Sequence, residues 1–141
     1  TIGNSAFSSC GTSFTVDDAN PNFNDIDGVL FSKDNSTLIT YPGRSRNKTY
    51  TVPLGTTKIG DGAFLALTYL ENITLQDGLK EIAATSFSNS GGQNFTITFP
   101  YSTTIINDTA FSEARKPIFN CEEGSYAERY AREHGFAYNF I

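Results

Sequence analysis

The sequence predicts a mainly β repeat solenoid: a parallel ladder of short strands, with an inserted β-hairpin and a C-terminal helical cap. Three observations carry this expectation. The pattern Ile-x-x-x-(Ala/Ser)-Phe occurs four times, at Ile2–Phe7, Ile59–Phe64, Ile82–Phe87 and Ile106–Phe111, with Phe-to-Phe steps of 57, 23 and 24 residues. An apolar-polar-apolar triplet precedes three of these, Tyr50-Thr51-Val52, Ile73-Thr74-Leu75 and Ile97-Thr98-Phe99, and the interval from its last member to the Ile is seven residues each time. Phe14-Thr15-Val16 and Phe119-Asn120-Cys121 extend the triplet outward at both ends. Self-similarity at a fixed period of a few tens of residues is the signature of stacked units that cannot bury a core singly.

Each element follows from that register. In a triplet, period-2 alternation sends the first and third side chains inward and the middle one outward, as a short strand does. Five triplets give five parallel strands, with outward residues Thr15, Thr51, Thr74, Thr98 and Asn120. The Phe residues, Phe7 included, form a second apolar column. Ala or Ser precedes each one because adjacent coils pass too closely for a larger side chain. Cys10 falls where Leu67, Ser90 and Ala114 fall in the other coils, and Cys121 takes an inward strand position. Both read as buried free thiols, the usual state of an unpaired Cys. A disulfide between them would close a long loop, worth about 4–5 kcal/mol on the chain-entropy model. Their placement in different coils argues against it.

The long step of 57 residues is one repeat plus an insertion. Val29, Phe31, Leu38, Ile39 and Tyr41 flank the polar run Lys33–Ser36, a hairpin signature placed at about 29–41, projecting from or covering one side of the solenoid. At the C-terminus, Ser125-Tyr126-Ala127-Glu128 is a capping box, Gly135 supplies a left-handed stop, and His134 suits the last turn. A helix over 126–134 is expected, followed by a short strand from the alternation of Phe136, Tyr138 and Phe140. Residues 125–141 therefore read as a cap. The first residues open in the middle of a repeat, so the natural protein is expected to continue beyond Thr1. Residues 1–141 read as a single domain.

These motifs resemble the BspA-like leucine-rich-repeat family of bacterial surface proteins. Lys58–Phe64, Tyr69–Leu75, Asp27–Asp34, Leu38–Pro42 and the closing Glu123–Ala131 carry the resemblance, which covers nearly the whole chain. The chain departs from it at Ala83-Ala84-Thr85, where Gly would be usual after Ile82, and at Gly91-Gly92-Gln93, which loosens one turn. The resemblance implies an exported protein of host-associated bacteria or of certain protozoa. It also implies adhesion or protein binding, sometimes to extracellular-matrix glycoproteins.

Composition and motif searches narrow the chemistry. A net charge of −5 lacks the basic footprint of a nucleic-acid binder, and no run of 18 apolar residues is present to insert in a membrane. No Cys/His cluster supports structural zinc. Gly60-x-Gly62 lacks the third glycine of a dinucleotide loop, and the repeat explains both glycines as turn residues. Asp25-x-Asp27-Gly28 with Asp34 resembles part of a calcium loop, but Phe23 stands at the first ligand position and Asp34 replaces the final Glu. A turn entering the hairpin accounts for it better. Asp17-Asp18 and Glu122-Glu123 are adjacent pairs rather than carboxylates facing across a cleft, and His134, the only His, is explained by its helix end. No catalytic residue, metal site or cofactor is expected.

Two features are candidates for binding: the outward ladder Thr15, Thr51, Thr74, Thr98 and Asn120, and the basic cluster Arg44, Arg46 and Lys48 after the hairpin. The bland alternatives are that Thr suits a solvated strand and that the cations belong to a solvated loop. Asn-x-Ser/Thr sequons at Asn35, Asn47, Asn72, Asn94 and Asn107 would be glycan acceptors in a eukaryotic secretory chain, whereas in a bacterium, the favoured reading, they follow from the Asn- and Thr-rich composition. The sequence thus reads as a non-catalytic protein-binding or adhesion module, extracellular or at a cell surface. The alternative is a structural spacer or capping domain.

Overall fold

The computed structural model describes residues 1–3, 5–7 and 9–141. Its elements in chain order are β1 (Phe23–Ile26), β2 (Val29–Ser32), β3 (Thr37–Thr40), β4 (Thr49–Thr51), β5 (Lys58–Ile59), β6 (Asn72–Thr74), β7 (Glu81–Ile82), β8 (Thr96–Thr98), β9 (Ile105–Ile106), β10 (Ile118–Cys121), α1 (Tyr126–His134) and β11 (Tyr138–Phe140). They build a solenoid with two ladders. One is a five-stranded parallel sheet in the order β11-β10-β8-β6-β4, and the other a six-stranded sheet in the order β1-β2-β3-β5-β7-β9.

The triplet strands form the first ladder in strict register: Tyr50, Ile73 and Ile97 are successive partners, and Phe119 pairs with Ile97 on one side and Tyr138 on the other. Val52, Ile73, Leu75, Ile97, Phe99, Phe119 and Cys121 are all buried, as the alternation requires. The Ile of three of the four Ile-x-x-x-(Ala/Ser)-Phe turns forms the second ladder, because Ile59 pairs with Leu38 and Ile82, and Ile82 with Ile106, whereas Ile2 lies in no strand. These two-residue strands leave no strand signal in the sequence, since so short a run carries no alternation.

Between the ladders runs the Phe column. Phe64 and Phe87 stack with centroids 5.0 Å apart, and Phe87 and Phe111 at 5.1 Å. Such pairs add about 0.5–1.5 kcal/mol each beyond burial. Ser86 replaces Ala in one coil and uses its hydroxyl: Oγ donates to the Gly60 carbonyl of the preceding coil at 3.2 Å. The arc from strand to Ile is metered at seven residues in every coil, whereas the arc from Phe to the next inward strand residue varies, from Phe64 to Ile73, Phe87 to Ile97 and Phe111 to Phe119. The extra residue of the middle coil lies at the Gly91–Asn94 corner. Coil after coil also places one residue of the turn following the Phe in the left-handed region: Ser9, Ala66, Asn89 and Glu113 have φ of 59°, 60°, 53° and 56°.

Four expectations are corrected at the N-terminal end. Phe14-Thr15-Val16 is not a ladder strand: the Phe14 N–H donates to the Gly28 carbonyl and the Val16 N–H to Asp25 Oδ1, so the insertion consumes the groups that would have paired. The fifth ladder strand is β11 at the other end. Phe7 stands outside the Phe column, half-exposed and edge-on to Phe14 at 5.5 Å, because Tyr41 from the insertion occupies the stacking place against Phe64. Cys10 is exposed, on the outer side of a terminal turn whose backbone is taken up with Gly43, while Cys121 is buried as expected and both thiols are free. The insertion is also larger than a hairpin. It is a three-stranded antiparallel meander, β1-β2-β3, and β3 joins the second ladder parallel to β5, so it extends the solenoid's own sheet.

The C-terminal helix runs over Tyr126–His134, as its capping residues lead one to expect. Ser125 Oγ accepts the Glu128 N–H at 3.2 Å, and Gly135 at φ 70° closes the helix by donating to the Ala131 carbonyl. The Glu128 carboxylate accepts from the Gly124 N–H at 2.6 Å rather than from that of Ser125, and also pairs with Arg132 at 2.6 Å. Phe119, Tyr130 and Phe136 stack across the end of the core, with Phe119–Phe136 centroids 5.2 Å apart.

Candidate functional site

The outward positions of the first ladder form two columns. One runs Thr51, Thr74, Thr98, Asn120, Asn139 and the other Thr49, Asn72, Thr96, Ile118, each in register from strand to strand. Neighbouring strands lie about 4.8 Å apart, so the columns present hydroxyl and amide groups at that repeat. None of the nine side chains is charged. Four of the five expected ladder residues are therefore together. Thr15 is not among them, for the reason given above. Asn139 takes the fifth place, and the Tyr138-Asn139-Phe140 triplet was the signal that would have found it.

The columns are partly self-satisfied. Asn139 Nδ2 donates to Asn120 Oδ1 at 3.3 Å, and Asn120 Nδ2 to Thr98 Oγ1 at 3.4 Å. Thr96 Oγ1 donates to Asn72 Oδ1 at 2.5 Å. Thr51 and Thr74 make no side-chain hydrogen bond among the described residues, which leaves the β4–β6 end of the face with the most unengaged hydroxyls.

The basic residues do not converge. Lys48 Nζ pairs with Glu71 at 2.9 Å, the Arg46 guanidinium lies 5.8 Å from the Tyr69 ring centroid, and Arg44 is held by its backbone N–H on the Gly11 carbonyl. Arg46 and Lys48 thus reach the next coil, which turns a cluster in sequence into a side wall of the ladder. The acidic residues of the insertion have local work. Asp34 accepts from the Ser32 and Ser36 hydroxyls and the Ser36 N–H, which holds its carboxyl down at about 2. Asp27-Gly28, with φ of 50° and 79°, is the two-residue turn between β1 and β2. His134 stacks on Tyr130 at 3.9 Å with Nδ1 3.0 Å from the Tyr130 carbonyl. The Cys121 thiol is pushed up by burial, away from the reactive thiolate.

Comparison with known proteins agrees with this architecture. The description "BspA type leucine rich repeat region", of six copies, matches residues 43–121. A comparison with curated proteins found no match. Three solved structures are similar: the pneumococcal vaccine antigen PcpA (21% identity, TM-score 0.66), a leucine-rich cell surface protein of Faecalibacterium prausnitzii (23%, 0.60) and a leucine-rich repeat protein of Eubacterium ventriosum (18%, 0.50). The similarity covers 84%, 84% and 86% of this chain and 36%, 38% and 39% of those chains, so it spans well under half the length of each. At these identities the structures establish the fold alone. Together with the repeat match over more than half the sequence, the two in-register ladders and the Phe column show that this chain belongs to the BspA-type leucine-rich repeat family.

Proposed function

We propose that the chain is a non-catalytic protein-binding module of a cell-surface or secreted protein, and that the outer face of the first ladder is its contact surface. The observation that carries the proposal is the pair of in-register columns, a face of hydroxyls and amides with the single apolar member Ile118 and no charge, in a chain of net charge −5. Repeat proteins bind across such regular surfaces. The family membership supports the reading, as do the neighbours described as a cell surface protein and a vaccine antigen. The partner class in view is a host or neighbouring-cell protein, extracellular-matrix glycoproteins included. Among the described residues no helix is long and apolar enough to cross a membrane.

The test is a binding screen against matrix and cell-surface proteins, repeated with Thr74→Lys and Thr98→Lys combined. Loss of binding with the fold intact supports the face. Unchanged affinity for a confirmed ligand removes it. A second reading, a spacer that holds other domains apart, is favoured by the hydrogen bonds that close Asn139, Asn120 and Thr98 upon one another. It predicts that no ligand maps to either column.

A further inference from the structure

Among the described residues β4 is one of the two edge strands of the first ladder, and its outer edge faces a cleft. The Asn72 N–H donates to the Lys48 carbonyl and the Val52 N–H to the Thr74 carbonyl, so the even-numbered residues of this segment point their backbone groups toward β6. By the alternation of a parallel ladder, the N–H and C=O groups of Thr49 and Thr51 point the other way. Among the described residues no hydrogen bond reaches them. They open on a cleft of about 300 Å³, whose other wall includes Thr12, Asp27 and Val29. That wall is anchored, since the Phe14 N–H donates to the Gly28 carbonyl.

Two side chains of the cleft lack partners. Asp27 makes neither an ion pair nor a side-chain hydrogen bond among the described residues. The Tyr50 hydroxyl is buried and likewise has no hydrogen-bond partner. The residues in register with Tyr50 are Ile73, Ile97 and Phe119, all apolar, and Tyr138 at the far edge, so a hydroxyl stands at this level only in the two edge strands. Burial and the charges of Tyr41 and Asp27 push the Tyr50 phenol upward, which fits a hydroxyl lying near the Asp27 carboxylate. The cations of the neighbouring loop stand aside: Ser45 and Asn47 line the cleft, whereas Arg44, Arg46 and Lys48 do not.

We propose that this cleft is a strand-addition site for an extended peptide segment of a partner protein, with a lysine or arginine of that segment opposite Asp27. An open sheet edge offers main-chain hydrogen bonds to any extended chain, and side chains at alternate positions then supply specificity. Here the specificity is charge complementarity. The cleft holds the unpaired Asp27 carboxylate, which accepts from an ammonium or guanidinium donor. This goes beyond the outer-face reading and stands or falls separately from it.

The probes are two synthetic libraries, Thr-X-Lys-X-Thr and Thr-X-Gln-X-Thr with apolar X, titrated against the full chain at up to about 1 mM, the weak end of specific recognition. Lysine peptides bind, and their glutamine counterparts bind about tenfold more weakly, as expected for loss of one charge-assisted contact. Asp27→Asn removes that difference. Thr51→Pro abolishes binding of both libraries while Thr51→Ala does not, because the Thr51 N–H points away from β6 and its loss spares the ladder. Unchanged far-UV circular dichroism and melting temperature check that the Thr51→Pro variant stays folded, and the Asp27→Asn comparison stands without it. Equal binding to wild type and Asp27→Asn overturns the proposal, as does the absence of any lysine binder. Loss of peptide binding in the Thr74→Lys/Thr98→Lys variant also overturns it, by moving the peptide to the outer face.

Discussion

The two ends of the first ladder use the same aromatic device and finish it differently. At the β11 end, Phe119, Tyr130 and Phe136 stack over the core, and the Tyr130 hydroxyl is satisfied by the Asn107 carbonyl at 3.2 Å. At the β4 end, Tyr41 and Tyr50 meet edge-on at 4.8 Å over Phe64, and the Tyr50 hydroxyl has no partner among the described residues. Both ends exclude water from apolar surface. Of the Tyr50 and Tyr130 hydroxyls, only that of Tyr130, on the capped helix, finds a partner among the described residues. The meander at the other end extends the second ladder and leaves the first one open. Covering a solenoid core and pairing the edge of its ladder are thus separate tasks: both ends do the first, while β4 and β11 each pair on one side only.

The comparison breaks first at its most buried ring. Phe119→Ala should destabilise the protein by about 3–5 kcal/mol, the range for core Phe truncation, read by chemical denaturation. Phe119 is fully buried and is shared by the ladder and the cap, so a cost below about 1 kcal/mol would mean that the cap is not integral to the core. Ser125→Ala removes the helix N-cap and should cost about 1 kcal/mol. Tyr50→Phe sharpens the contrast by changing sign. Removing an unsatisfied buried hydroxyl should raise stability by about 1 kcal/mol, whereas Tyr130→Phe, which breaks a made bond, should lower it.

The smallest effect is a local pH dependence at the exposed β2–β3 turn. The Asp34 carboxyl lies at about 2 against an ordinary value of 3.8, so its contribution is fully present above 3.8 and is lost as pH falls through about 2. The Ser36 amide resonance should titrate with that low midpoint. A midpoint near 4 would mean that the Ser32 and Ser36 hydroxyls do not hold the carboxylate.

Much of this molecule was legible in its sequence because repetition multiplies a weak signal. One apolar-Thr-apolar triplet says little, but a constant interval of seven residues to an Ile in three coils fixes register, burial and outward columns together. The helix was equally plain, since Ser125, Glu128 and Gly135 act within a few residues of one another. What escaped was decided by contacts distant in the chain. Phe14-Thr15-Val16 has the triplet pattern, yet Gly28 and Asp25 compete for its backbone groups. Phe7 fits the column, yet Tyr41 reaches Phe64 from the insertion. Of the candidate binding residues, Thr51, Thr74, Thr98 and Asn120 followed from local alternation. The cleft beside β4 did not, because Asp27 and Tyr50 belong to different sequence units and only the fold brings them to one place.

The unequal arcs of the coil have a consequence for how such chains can change. The span from strand to Ile behaves as a fixed ruler, and the span from Phe to the following strand as a slack one that already absorbs an additional residue at Gly91–Asn94 without shifting a single ladder pair. Length variation, whether drifted in over generations or grafted by an engineer, has a preferred address at that corner, where a foreign loop could be displayed while the stacked coils keep their count.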